Sequence, residues 1–340
     1  MGILGWLHGS LESDDDVRIV DAMEAAVRGT DPRIRLVKGY RRRLRPAVER
    51  ALEYCRELVE AIPGPFNASI EGWSTDPTVR ALFTSAEELR GILSRSLEVS
   101  EFVASPANAE VHSVFGILSM VRTEHVVLGA ALQGEFVRVD VPQRTVSFSH
   151  HAVRAPRGSE ANLRRELEWR AFEHLVLEAL EHVTFLQERR TRLVCERRLL
   201  RSRLSLMTGA RAGLDGLHVL PEEDTTTFRR LRDELVENER ELEAMQESLG
   251  NLEDYLERVV EVLGDPGSVV RIERASTRLT ALNVVAENDR DAAVDLMLAE
   301  FSVHAPTPAK RTVAIIRFPR AELIPRRLAL DEAAKLLGSV

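Results

Sequence analysis

Apolar residues recur at alternating intervals of three and four along two long stretches of the chain. In residues 228–263, ten of the eleven positions in this series are apolar, and the exception is Asn238. In residues 172–207, nine of eleven are apolar, and the exceptions are Arg190 and Arg197. A repeat of 3.5 residues keeps one stripe of a helix against a partner helix. Each stretch therefore predicts a helix of a coiled coil.

The segment that joins the two stretches favours a turn. Its sequence, "TGARAGLDGLHVLPEEDTTT", contains three glycines and a proline. A short connection between two such helices predicts an antiparallel hairpin. If Met207 lies opposite Phe228, Arg197 lies opposite Asn238. These two residues are predicted to form a polar layer, which lowers stability but fixes the register of the two helices.

The two predicted helices carry opposite charge. Residues 187–211 have a net charge of +6, and residues 233–261 have −9. Opposite charges favour pairing within the chain and disfavour other registers, and Arg201–Glu239 and Arg203–Glu234 are the predicted flanking pairs. We therefore interpret the arginine-rich run 189–203 as one side of an internally neutralised hairpin.

Strand-like alternation occurs on both sides of the predicted hairpin. Residues 125–151 predict a three-stranded antiparallel meander with turns at "LQGEF" and "VPQR". Strands are also predicted in "SVVRIERAS", "RLTALNVVA" and "RTVAIIRFPR", while residues 291–303 fit a helix or a strand equally well.

The N-terminal third predicts helices. The first begins at Ser13 as its N-cap, and Pro46 separates or kinks the helices around it. Further helices, each with an N-cap residue and an early acid or proline, are predicted in "TDPTVRALF" and "SAEELRGILSRSLEVSEFV".

Together these patterns predict a mainly helical α+β fold with four parts. Residues 1–110 form a helical N-terminal region, and residues 111–157 and 265–322 form a small, discontinuous antiparallel-sheet domain. The long antiparallel coiled-coil hairpin, residues 158–264, interrupts that domain, and residues 323–340 form a C-terminal helix.

Composition agrees with long helices and narrows the chemistry. Aromatic residues are only 5% of the 340 residues, and the net charge is −8. All but three of the basic residues are arginine, which a GC-rich bacterial genome explains, and none of the lysines lies in a phosphate-binding GK[ST] loop. The two cysteines form no C-x-x-C pair, and nucleophile, zinc and dinucleotide motifs are missing from the sequence. We therefore expect no catalytic, cofactor or metal residues and favour a non-enzymatic protein, with enzyme activity left open.

The segment "RIRLVKGYRRRLR", residues 33–45, has seven basic residues and no acid. Such a run can contact the phosphates of a nucleic acid. Alternatively, it pairs with acids of the same chain, such as Asp14 to Asp16 or Glu87 and Glu88. The candidate contacts for an anion or nucleic acid are Arg33, Arg35, Lys38, Arg41, Arg42, Arg43 and Arg45.

The sequence predicts a structural or protein-interaction module. Its coiled-coil arm would dock or space a protein partner, or drive self-association into a homo-oligomer, because a rod exposes a long surface and encloses no pocket. The alternative is a nucleic-acid-associated protein that uses residues 33–45. No run of 18 apolar residues and no secretion signal occur, so we expect a cytoplasmic protein without a membrane span.

Overall fold

The computed structural model describes residues 4–133, 136–214, 222–249, 252–286, 292–303 and 310–324. The fold is α+β and mainly helical, with an antiparallel sheet, as predicted. The helices are α1 Leu4–Gly29, α2 Tyr40–Glu60, α3 Ile70–Thr75, α4 Pro77–Leu82, α5 Ala86–Arg95, α6 Leu97–Ala104, α7 Glu160–Leu214, α8 Glu222–Leu249 and α9 Leu252–Gly264. The strands are β1 Phe66–Asn67, β2 Ser113–Gln133, β3 Phe136–Arg157, β4 Val270–Thr280, β5 Ala293–Val303 and β6 Lys310–Pro319.

The chain divides into two compact units. The first combines residues 1–51 with 173–265, and the second combines 52–172 with 266–340. The first unit contains α1, the start of α2, most of α7, and α8 and α9. The second contains the sheet and helices α3 to α6. The predicted C-terminal helix lies outside the described residues from position 325 onward.

The sheet of the second unit has the strand order β3-β2-β6-β5-β4, and the short β1 pairs in parallel with β6. Residues 283–286 form backbone hydrogen bonds with both end strands of the sheet, β3 and β4. Val285 N–H donates to Arg144 O of β3 over 2.8 Å, and Ala286 N–H donates to Arg278 O of β4 over 2.9 Å. The sheet therefore closes on itself through this segment, which satisfies backbone groups that an open sheet edge would expose.

Both faces of the sheet are covered by apolar side chains. On one face Leu118, Met120 and Phe318 cluster with Phe83, which directly follows α4, and with Leu89 of α5. On the other face Val313 and Ile315 cluster with Ile62, at the end of α2, and Leu163, at the start of α7. Successive residues of β6 alternate between the two clusters, as the period of a strand requires. This explains the nearly continuous apolar run in "RTVAIIRFPR".

The predicted meander over residues 125–151 is wrong. "VPQR" is not a turn but part of β3, where Pro142 lies opposite Leu128 of β2. β3 is an edge strand in the sheet order. Proline has no N–H to donate to a neighbouring strand, and on an edge strand one side has no such neighbour, so proline is tolerated there. Of residues 291–303, which fitted either structure, Ala293–Val303 form the strand β5, and residue 291 lies outside the described residues. "SVVRIERAS" and the start of "RLTALNVVA" form one strand, β4.

Two helix boundaries also differ from the prediction. Ser13 is not an N-cap, because α1 begins at Leu4 and includes it. Pro46 does not separate two helices, because α2 continues through it. The break lies instead at Gly39, whose φ of 74° is readily adopted only by glycine.

The predicted caps of the shorter helices are present. The side chain of Asp76 accepts a hydrogen bond from Thr78 N over 2.8 Å at the start of α4, and Ser85 accepts one from Glu88 N over 3.1 Å at the start of α5. Ser96 ends α5 and caps α6, so the segment predicted as one stretch contains two helices.

The two heptad stretches are helical. α7 is a single helix of 55 residues. The second stretch is helical over α8 and α9, and residues 250 and 251 between them lie outside the described residues.

Candidate interaction surface

Three side-chain contacts between described residues join α7 to α8. Arg201 contacts Glu239 over 2.5 Å, and Arg189 contacts Glu241 over 3.2 Å. Between these two ion pairs, Asn238 Nδ2 donates to Oε2 of Glu196 over 3.3 Å. The Arg201–Glu239 pair is one of the two that the charge pattern predicted.

The second predicted pair, Arg203–Glu234, does not form. Glu234 accepts instead from Nε of Arg230, one turn earlier on α8, over 2.9 Å. Side chains four residues apart on one helix are already neighbours. Forming an ion pair between them therefore costs less side-chain conformational entropy than forming one between two helices.

The side chains at the heptad positions are withdrawn from solvent. At every described heptad position of α7, α8 and α9 the residue is buried or half-buried; positions 186, 245 and 249 lie outside the described side chains. Leu193 of α7 is 8% exposed, and Leu242 of α8 is 2% exposed. Arg197 is half-buried, and Asn238 is 7% exposed with no hydrogen-bond partner for Oδ1 among the described atoms.

The basic run of α7 is only partly neutralised by acids. Arg189 and Arg201 have the partners named above. In the part of the chain that the structure describes, no acid pairs with the others, Arg190, Arg192, Arg197, Arg198 and Arg203.

Sequence reasoning missed a set of exposed apolar residues on α7. Phe185, Leu199 and Leu206 are 63%, 51% and 74% exposed, and the thiol of Cys195 is also exposed. The sequence held a signal for them, because positions 185, 192, 199 and 206 are spaced by seven. The eleven heptad positions of residues 172–207 gave the stronger signal, and Phe185, Leu199 and Leu206 lie outside that series.

Most of the candidate anion contacts in residues 33–45 are already paired with carboxylates. Lys38 and Arg42 are exposed and have no acid partner among the described residues. The other five pair as follows: Arg33 with Asp31 (2.6 Å), Arg35 and Arg41 with Glu24 (3.0 Å each), Arg43 with Glu257 (2.8 Å), and Arg45 with Asp16 and with Glu49 (2.7 Å).

Glu24 is the centre of this ion-pair cluster. Its carboxylate accepts hydrogen bonds from the Tyr40 hydroxyl over 3.0 Å, from Arg41 over 3.0 Å and from Arg35 over 3.1 Å. Burial would raise the pKa of Glu24, but these three hydrogen bonds favour the charged form and together lower the pKa below its ordinary value. The cluster therefore joins α1 to the start of α2.

Arg33 has a structural role of its own. Asp31 is the N-cap of the short 3₁₀ turn Pro32–Leu36, and its carboxylate accepts from both Arg33 N and Arg33 Nε. The hydrogen bonds from the Arg33 side chain lower the pKa of Asp31, and they outweigh the opposing effect of burial. Competition with this contact would weaken binding of Arg33 to a phosphate.

A compact group of charged residues lies on the sheet, at a recess of about 200 Å³ lined by Arg122, Glu124, Glu300, Lys310 and Thr312. The Glu300 carboxylate lies 3.1 Å from Arg122 and also contacts Lys310. Burial would raise the pKa of Glu300, but the pairing with Lys310 and Arg122 lowers it. The two basic and the two acidic side chains of the recess thus pair with one another.

The contacts of His151, on β3, are structural. Its Nε2 donates to Leu82 O over 2.8 Å, and its ring stacks on Phe83 with 5.1 Å between centroids. Burial lowers the pKa of His151 and so favours the neutral ring. Within the described residues, no cluster of three or more His, Cys, Asp or Glu side chains has the arrangement of a metal site.

Comparison of the chain with family models, with curated proteins and with solved structures finds no match in any of the three. In the described part of the chain, no helix combines the length and the apolar character that crossing a bilayer requires.

Proposed function

We propose that this protein is a non-enzymatic structural or protein-interaction module. Its working element is an arm formed by α7 and α8, which docks or spaces a protein partner or drives self-association. One observation carries the proposal. Two ion pairs between α7 and α8, Arg201–Glu239 and Arg189–Glu241, lie on either side of the buried and half-buried heptad positions. Such an arm presents a long surface and no enclosed site.

We further propose that the arm is an antiparallel coiled-coil hairpin in the register with Met207 opposite Phe228. In an antiparallel pair, the residues that flank the seam on each side face their equivalents on the other helix. That register places residue 201 near 239 on one side and residue 189 near 241 on the other. Both contacts are present, which supports this register over its neighbours.

The proposed register includes the Arg197–Asn238 layer. Asn238 Nδ2 donates to Glu196, the neighbour of Arg197, so the two helices are close at this level. Asn238 Oδ1 accepts no hydrogen bond from a described residue, and a guanidinium opposite it could donate one.

The experiment compares the full chain with a chain whose arm is shortened. In the proposed register residue 186 faces residue 249, so residues 188–247 can be replaced by a four-residue Gly/Ser turn that leaves α9 and the start of α7 in place. Both chains are used for affinity capture from the native host and for analytical ultracentrifugation.

We expect the shortened chain to lose a protein partner, or a self-associated state, that the full chain has. Circular dichroism and thermal unfolding of the remaining structure control for misfolding. Identical partners and an identical oligomeric state for the two chains would contradict the proposal.

The alternative proposal, contact with nucleic acid through residues 33–45, is supported by Lys38 and Arg42, which are exposed and have no acid partner among the described residues. The double variant Lys38→Glu/Arg42→Glu leaves the observed ion pairs intact. If the alternative holds, the full chain binds DNA or RNA with an affinity that falls steeply with salt, and the variant loses that affinity. Equal affinity of the two proteins would exclude this segment as the contact.

A further inference from the structure

One side of α7 carries arginines and no acids. Successive residues of a helix lie ~100° apart around its axis. Between residues 187 and 208, every charged residue within ~60° of Arg201 is another arginine, namely Arg190, Arg197 and Arg198. The acids in the same range are Glu188 and Glu196, and both lie ~140° from Arg201. The arginines on this side are therefore separated from the acids of their own helix.

A groove of about 560 Å³ lies on this basic side. Its lining consists of residues of α7: Val194, Arg197, Arg198, Arg201, Ser202, Ser205 and Leu206. Arg201 pairs with Glu239, whereas Arg197 and Arg198 have no acid partner among the described residues. The groove thus presents two guanidinium groups without a carboxylate, together with two exposed serine hydroxyls, and all of these groups donate hydrogen bonds.

The adjoining side of α8 leaves this surface positive. Arg232 precedes Glu239 by seven residues, so the two side chains point in nearly the same direction from α8. Arg232 is exposed, and no acid in the described part of the chain pairs with it. Between residues 228 and 244, Glu243 is the other acid within ~60° of Glu239. Five arginines thus face two acids. We call these five the arginine surface: Arg190, Arg197, Arg198, Arg201 and Arg232.

We propose that the arginine surface binds the phosphate backbone of a double-stranded nucleic acid. Guanidinium groups donate two parallel hydrogen bonds to a phosphate, and Ser202 and Ser205 can donate to further phosphate oxygens. The chain has a net charge of −8, but salt screens exposed charges over ~8 Å at physiological ionic strength, so the local sign decides. The inference goes beyond the proposed function, because it gives the arm a ligand that is not a protein.

The residue types of the arm favour a duplex over a single strand. Sites for single strands combine a basic groove with aromatic side chains on which unpaired bases stack. Residues 187–208 and 229–243 contain no aromatic residue. Contacts with phosphates alone carry no base recognition, so we expect binding that is independent of nucleotide sequence.

The lining of the groove also favours a nucleic acid over an acidic protein segment. Val194 and Leu206 are its apolar residues, so a protein segment would bury little apolar surface there. Attraction would then depend on charge density. An extended acidic peptide carries at most one charge per ~3.3 Å, whereas duplex DNA carries one per ~1.7 Å of its axis.

The test measures binding of fluorescein-labelled probes to the full chain by fluorescence anisotropy over a series of salt concentrations. The probes are a DNA duplex and an RNA duplex of about 20 base pairs, a single strand of the same length, and polyglutamate. We expect a duplex to bind more tightly than the single strand or polyglutamate, and the two duplexes together show which form is preferred. Four arginines of the surface have no acid partner among the described residues, so log K for DNA should fall with log salt at a slope of about −3 to −4.

A double variant and a matched control assign the binding to the arginine surface. Arg198→Ala/Arg232→Ala should weaken duplex binding by about tenfold or more at low salt and make the slope shallower by about 2. Arg192→Ala/Arg203→Ala removes the same charge from positions ~160–180° from Arg201 on α7, and it should leave the slope unchanged. All four substituted positions are exposed, and circular dichroism verifies that the variants fold.

Several results would overturn the inference. They are failure of both duplexes to bind at low salt, tighter binding of the single strand or polyglutamate, and equal losses in the two double variants. Duplex binding that Lys38→Glu/Arg42→Glu abolishes and Arg198→Ala/Arg232→Ala preserves would assign the contact to residues 33–45 instead. None of these results changes the protein partners or the oligomeric state of the shortened chain, so the proposed function is tested separately.

Discussion

Asn238 on α8 donates a hydrogen bond from Nδ2 to Oε2 of Glu196 on α7 over 3.3 Å, between residues 42 positions apart in sequence. Asn238 is 7% exposed, and its Oδ1 has no described partner. A buried acceptor without a hydrogen bond costs about 1–3 kcal/mol. The contact thus joins the two helices at a cost in stability, which is the behaviour of a polar group that specifies register.

Replacement of Asn238 by leucine should raise the stability of the α7–α8 pair by about 1 kcal/mol, because it removes the unsatisfied amide oxygen and extends the apolar stripe. The measurement is the thermal unfolding midpoint followed by circular dichroism. Asn238→Ala, which leaves a space instead of filling it, serves as the size control and should not be stabilising. A lower midpoint for Asn238→Leu than for the parent would show that the amide is needed for stability.

The Arg201–Glu239 pair should show a small favourable coupling in a double-mutant cycle. Arg201→Glu places like charges together, and the second change Glu239→Arg should restore the pair in reverse. We expect a coupling of about 0.2–1 kcal/mol at low salt, since the Arg201 side chain is 60% exposed, and a smaller value at 1 M salt. A cycle that closes with zero coupling at low salt would argue against this contact between the helices in solution.

Removal of the Glu24 charge should destabilise the first unit in a pH-dependent way. The pKa of Glu24 is lowered in the folded chain from an ordinary value of 4.5, so its stabilising effect is fully present above pH 4.5 and is lost as the pH falls through the folded pKa. Glu24→Gln should therefore cost about 1 kcal/mol at pH 7 and less at pH 3. Urea unfolding at both values measures this.

Glu237→Gln is the matched control for Glu24. The Glu237 carboxylate lies 4.0 Å from Arg240, and both side chains are largely exposed. This change should alter stability by less than about 0.5 kcal/mol at either pH. A Glu24 variant that behaves like the Glu237 variant would mean that the three hydrogen bonds to Glu24 contribute nothing measurable.

Two glycines of the second unit should respond to alanine in opposite directions. A methyl group on Gly72 would lie 1.8 Å from Asn67 O, so Gly72→Ala should destabilise by roughly 1–3 kcal/mol. Gly91 lies inside α5, and the nearest atom to a methyl there is Arg95 Nη2 at 3.5 Å. Gly91→Ala should stabilise by roughly 0.5–1 kcal/mol, because alanine favours the helix. Thermal unfolding of both variants decides, and a loss of stability at Gly91 would contradict this account.

Local patterns predicted some parts of the molecule well. Asp76 and Ser85 were recognisable as helix caps because a cap depends only on residues two or three positions away. The Arg201–Glu239 pair followed from the heptad register and the charge pattern alone. The predictions that were wrong concerned features that depend on residues far apart in the sequence. "VPQR" has the composition of a turn, and only the position of β3 at the edge of the sheet order allows Pro142 within a strand.

The candidate contacts in residues 33–45 show the same division. The sequence revealed seven basic residues without an intervening acid, and it suggested Asp16 among the possible partners. It gave no indication of Glu24 or Glu257, which pair with Arg41 and Arg43 across separations of 17 and 214 residues. Coulomb attraction acts through space, so a run of like charge says nothing about which acids the fold brings to it.

By itself the sequence determined the α+β class, the helical character of the two heptad stretches and the opposite charge of their arms, because each follows from the spacing or composition of neighbouring residues. Only the tertiary structure decided that the sheet closes through residues 283–286, that most of the 33–45 cations are already paired, and that Phe185, Leu199 and Leu206 remain uncovered. Burial and pairing are properties of atoms that meet in space, and residues far apart along the chain supply the partners. The periodicity of α7 could show that it has an apolar side, whereas the exposure of Phe185, Leu199 and Leu206 depends on what the rest of the chain leaves open.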